Sequence, residues 1–117
     1  ALASCEKDEV KSFVTGKIVA TPSSVKNGDE ITLEIGGNVS ASGETIINGK
    51  DYHPIIHYLI DGKAVVNSSE TTLPFNAKYI IKDLTIGEHT LSVDITSSRK
   101  GAFFENKVRS TTITILE

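Results

Sequence analysis

Tryptophan and methionine are absent, cysteine occurs once, and aromatic residues make up only 6 % of the 117 residues. A single cysteine, at position 5, excludes an internal disulfide. There is no basic excess: 12 Lys and Arg stand against 15 Asp and Glu, for a formal charge of −3. A domain that grips phosphates normally carries the opposite balance, so no nucleic-acid partner is expected. No apolar run approaches the roughly 20 residues that a bilayer-spanning helix needs. Catalytic signatures are missing too. No Gly-x-Ser-x-Gly elbow, no Gly-rich phosphate loop opening a helix and no EF-hand spacing occurs. The composition, 38 % hydrophobic and 23 % charged, suits one modest core in one domain.

What is present is period-two patterning. Phe13 to Ala20 reads as a first strand, closed by Thr21-Pro22-Ser23-Ser24. After Asn27-Gly28, the apolar residues Ile31, Leu33 and Ile35 alternate with Thr32 and Glu34. Ile55 to Ile60 is almost continuously apolar and is expected to cross the middle of a sheet. Asp61-Gly62 joins it to Lys63–Val66 as the strongest hairpin signal in the chain. Phe75 to Ile81 supplies a fifth strand, and Leu91, Val93 and Ile95 mark a sixth. Phe103 to Leu116 reads as one long last strand whose inward parity shifts, which predicts a bulge near Arg109 to Thr112. Gly36 to Lys50 is left as a long loop, with a small hairpin at Asn48-Gly49. The expected fold is therefore all-β: an immunoglobulin-like β-sandwich of about seven antiparallel strands over residues 12–117, with a small β-barrel as the alternative.

The first residues carry a second signal. Leu2-Ala3-Ser4-Cys5 resembles the lipobox of bacterial lipoproteins, in which the leader is cut before a cysteine that is then acylated. Lys7-Asp8-Glu9 resembles the acidic export signal of Bacteroidetes surface lipoproteins. The resemblance implies that residues 1–4 end a signal peptide and that 5–11 are a lipid-anchored tether. It also implies a membrane partnership through Cys5 and display on the outer face of the bacterial outer membrane. Leu84, Gly87 and His89 resemble the corner that opens the sixth strand of immunoglobulin-like and fibronectin type III-like domains, where a tyrosine is usual. Tyr58 to Lys63 likewise resembles the third strand and hairpin of bacterial members. The paired cysteines and core tryptophan of antibody-type domains are missing, and no family function transfers from fold alone.

Candidates for chemistry are few. His53 and His57 lie four residues apart, about 13 Å along a strand, too far to share one ion, so no metal site is expected from them. His57 sits among apolar neighbours as a satisfied structural histidine, and His89 is expected to bond the corner. A calcium site built on Asp51 or Asp61 stays open. Arg99, Lys100 and Phe103 mark a possible binding loop, at the end of the sandwich where the first strand starts. The opposite end, with Lys26, Lys63 and Glu88, is expected to be hydrophilic. The expectation is a non-enzymatic, surface-anchored interaction module for a surface protein or glycan, with no cofactor. The alternatives are a structural subunit of an envelope or pilus-like assembly, and a carbohydrate-binding domain using Tyr52, Tyr79 and Phe103.

Overall fold

The computed structural model describes residues 12–42, 46–47, 50–51, 53–70, 74–98 and 104–117. In chain order the strands are β1 (Ser12–Thr21), β2 (Ser24–Val25), β3 (Glu30–Ser42), β4 (Ile46–Ile47), β5 (Lys50–Asp51) and β6 (Pro54–Ile60). They continue as β7 (Lys63–Asn67), β8 (Ala77–Ile80), β9 (Gly87–Ser97), β10 (Phe104–Arg109) and β11 (Thr111–Ile115). No helix occurs among the described residues. Two sheets face each other, one ordered β10-β1-β3-β8 and the other β2-β11-β9-β6-β7, with β4 and β5 forming a separate ribbon. This is a sandwich and not a closed barrel, because each sheet ends in edge strands.

The alternation in the sequence becomes the core. Ile31, Leu33 and Ile35 of β3 face Ile56, Tyr58 and Ile60 of β6 and Leu91 and Val93 of β9, and all are buried. Val14, Ile18, Phe104, Ile113 and Ile115 complete the cluster from the terminal strands. Burying each such side chain contributes roughly 1.5–3 kcal/mol relative to exposure, which is how a chain with few aromatics sustains one core. Pro54–Ile60 is flanked by β9 and β7, in keeping with its apolar run. The Asp61-Gly62 hairpin forms as expected, with φ of 53° and 82° at its two residues, the left-handed pair of a type I′ turn.

Four expectations need correction. The last strand is not one bulged strand. The chain leaves the first sheet after Arg109 and joins the second at Thr111. Crossing between facing sheets puts the core on the other side of the backbone, and this reverses the inward parity. The sheets are also mixed: β1 pairs with β10 in parallel, and β2 with β11 in parallel, because both chain ends cross between sheets side by side. Part of the Gly36–Lys50 loop is strand. β3 runs on to Ser42, with Phe13, Val14 and Thr15 paired to Ser42, Ala41 and Ser40. Ile46–Ile47 and Lys50–Asp51 pair as β4 and β5, and the Asn48-Gly49 expected as a hairpin between them lies outside the described residues. Lastly, the strand expected at Phe75–Ile81 shortens to Ala77–Ile80, since Phe75 has a φ of 57°, which no strand accommodates.

Candidate functional site

The topology collects two sets of loops. At one end lie Ser12, Ser42, Pro54, Ser97 and Phe104, as the register pairs Ser12 with Phe104, Phe13 with Ser42 and Pro54 with Ser97. The segment after β9 is clamped at its base there: Ser98 N–H donates to the His53 carbonyl at 2.9 Å, and His53 N–H donates to Ser98 Oγ at 3.0 Å. Arg99, Lys100 and Phe103 themselves lie outside the described residues, as do Cys5, Lys7, Asp8, Glu9 and Tyr52. The structure thus places the start of the first strand and the base of the expected binding loop at the same end.

The opposite end is built from the β2–β3 turn, the β6–β7 turn, residues 82–86 and the C-terminal residues, and it is densely bonded. Asn27 clamps the backbone of one residue of the 82–86 segment on both its polar groups. Its Nδ2 donates to the Leu84 carbonyl at 2.8 Å, and its Oδ1 accepts from Leu84 N–H at 3.0 Å. Gly28 N–H donates to the Ile81 carbonyl at 2.7 Å, and Ile81 N–H to the Asp29 carbonyl at 2.9 Å. Asp29 Oδ2 accepts from Lys26 N–H at 3.0 Å, closing its own turn.

His89 is the hub of this end. It is buried, 8 % exposed, at the start of β9. Its Nδ1 lies 2.6 Å from Asp61 Oδ2, and its Nε2 lies 2.7 Å from the Thr85 carbonyl oxygen. Asp61 uses its other oxygen to accept Thr90 N–H at 3.0 Å, while Asp61 N–H donates to the Thr90 carbonyl at 2.8 Å. The carboxylate of Asp61 holds His89 above its ordinary value of 6.5, and the Thr85 carbonyl acts in the same direction against the opposing effect of burial. Reciprocally, the His89 hydrogen bond and then the Thr90 amide hold Asp61 below its ordinary value of 3.8. His89 therefore occupies the corner, bonding a backbone carbonyl four residues upstream. Both Asp61 oxygens are engaged, which makes this carboxylate a lock on the β6–β7 turn.

His57 is also committed to structure: Nδ1 meets Asn67 Oδ1 and Nε2 meets Thr96 Oγ1, each at 2.8 Å, linking β6 to both neighbouring strands. Among the described residues no three or more His, Cys, Asp or Glu side chains cluster in a way that could hold a metal ion. Tyr58 is wholly buried and donates to the Phe75 carbonyl at 2.7 Å. Burial, reinforced by Glu34 and Glu70, pushes its hydroxyl far above the usual phenol range, so it stays a proton donor.

The far end, expected to be hydrophilic, also carries exposed apolar side chains. Lys26, Lys63 and Glu88 are exposed there, but so are Ile80 (56 %), Ile86 (63 %) and Leu116 (44 %). The β9–β11 register pairs Gly87 with Ile115, so Ile86 and Leu116 flank that last pair. Two structural roles escaped the sequence reading. Asn27 looked like an ordinary turn residue, and Asp61 like a hairpin residue with a calcium option. A side chain bonding backbone 57 positions away leaves no local signature.

No family model matches this chain, no curated protein matches it, and no solved structure matches it.

Proposed function

We propose that this chain is a non-enzymatic interaction module, held at the bacterial outer surface by a lipid on Cys5 and binding a surface protein or glycan. The observation that carries the non-catalytic part is the use made of its chemical side chains. His57 and His89 have both ring nitrogens bonded within the fold, and Asp61 has both oxygens bonded. Each of these bonds joins neighbouring strands or a turn of the fold itself, which supports a structural use of these side chains. The anchor rests on the Leu2-Ala3-Ser4-Cys5 motif, with Lys7, Asp8 and Glu9 as the export signal. Acyl chains stabilise membrane residence by about 0.8 kcal/mol per buried methylene, so two or more give a durable attachment. An anchor ahead of β1 would leave the end where β9 finishes and β10 begins on the membrane-proximal side and the His89 end on the distal side.

The test is cell fractionation of the full-length precursor and its Cys5→Ala variant, with protease added to intact cells. The native protein should sediment with membranes and be digested from outside, while Cys5→Ala should be recovered in the soluble fraction. A Cys5→Ala protein that remains with membranes contradicts the anchor.

A further inference from the structure

The surroundings of His89 impose a protonation state by geometry. A carboxylate only accepts hydrogen bonds, and a backbone carbonyl only accepts. Nδ1 lies 2.6 Å from one and Nε2 lies 2.7 Å from the other. Both nitrogens must donate, so the bonded ring is an imidazolium. Asp61, from the β6–β7 turn, is the charged group that faces it. β11 presents Ile113 opposite His89 in the ladder, and the 82–86 segment presents Thr85, with Lys82 and Asp83 exposed further along. Glu88 and Thr90, its neighbours on β9, are exposed, and in the β2–β3 turn the Asp29 carboxylate accepts from the Lys26 backbone N–H.

We propose that His89 is a proton-operated clasp: protonated, it ties Thr85 to the β6–β7 turn, and on losing its proton it releases the Thr85–Ile86 segment while Asn27 keeps Leu84 in place. The first proton to leave is the one on Nε2, because the Nδ1 proton lies between the ring and a carboxylate. A bare Nε2 then faces the Thr85 carbonyl, lone pair against lone pair. The Thr85 hydroxyl stands 3.4 Å from the same nitrogen, a longer contact than the 2.7 Å carbonyl bond that is lost. The release is confined, since Leu84 is held on both its N–H and C=O by a side chain that does not titrate. What changes is the presentation of Ile86, the most exposed large apolar side chain among the described residues. This clasp stands independently of the lipid-anchor reading.

The experiment is an NMR titration of the folded domain with the His89 ring, the Ile86 and Leu84 amides and backbone order parameters as readouts. The Thr85 carbonyl and the Ile86 N–H belong to one peptide unit, so the Ile86 nitrogen resonance reports the Thr85 bond. The Ile86 resonance should move with the same midpoint as the His89 ring, above 6.5. The order parameter at Thr85–Ile86 should fall from about 0.85 towards 0.6, with Leu84 unchanged. Asp61→Asn should lower both midpoints together. If that variant does not fold, His89→Gln serves instead, and it should abolish the Ile86 transition. A ring found neutral at pH 5.5, or an Ile86 resonance indifferent to the His89 titration, overturns the clasp.

Discussion

Asp61 shows how much one side chain can settle. Its left-handed backbone, φ 53°, is one that Asp tolerates better than most residues, and the Gly62 that follows completes the type I′ turn. That geometry brings its carboxylate to the Thr90 amide and the His89 ring. Linkage fixes the sign of the pH dependence. His89 is raised, so its contribution is complete below 6.5 and is lost as pH rises through its folded value. Asp61 is lowered, so its contribution is present above 3.8 and is lost as pH falls through its folded value. Thermal melts should therefore show a stability plateau between those limits, and His89→Gln should flatten its alkaline side. A melting temperature that keeps rising from pH 6 to 9 would contradict this. Tyr58 yields a second prediction at this scale. Tyr58→Phe leaves the Phe75 carbonyl without its buried donor, so urea unfolding should report a loss of about 1–3 kcal/mol. An unchanged midpoint would mean that water replaces the hydroxyl. The sequence marked His89 as a corner residue through its Leu84-Gly87-His89 spacing, but its partner Asp61 is 28 positions away, and only the folded turn brings them together.

Among the elements, the final segment is the informative one. The parity change between Val108 and Ile113 is written in the sequence, and a bulge and a sheet crossing produce the same parity change. Only the pairing partners decide between them: β10 lies on β1, and β11 lies on β9. Asn106 stitches the crossing. Its Nδ2 donates to the Val93 carbonyl of the facing sheet at 2.7 Å, and its Oδ1 accepts Val108 N–H at 3.0 Å. Asn106→Ala removes both bonds, with an expected cost of about 1–3 kcal/mol and faster amide exchange at Val108. Equal exchange at Val108 in both proteins would show that the crossing holds without the stitch. β3 offers the converse lesson. Its first half was legible because Ile31, Leu33 and Ile35 alternate, whereas its second half, rich in Gly, Ser and Asn, is strand through backbone pairing with β1. Backbone pairing is nearly silent in composition, which is why Gly36 onward read as a loop.

For the molecule as a whole, the sandwich was readable from turn spacing and alternation, while the parallel pairs at its terminal strands were not. Parallel pairing depends on where two distant chain ends meet, and no local pattern encodes that. Substantial helix in circular dichroism would contradict the fold. The functional reading splits along the same line. Structural commitments of His57, His89 and Asp61 appear in the geometry, whereas the anchor rests on the four residues ending at Cys5 and the surface placement on Lys7, Asp8 and Glu9. The measurement that bears most directly on the account is intact-mass spectrometry of the full-length precursor expressed in its native bacterium. The account predicts a mature protein that begins at Cys5, lacks residues 1–4 and carries the added mass of glyceryl and acyl groups on that residue. A protein that retains residues 1–4 with an unmodified Cys5 thiol would contradict it.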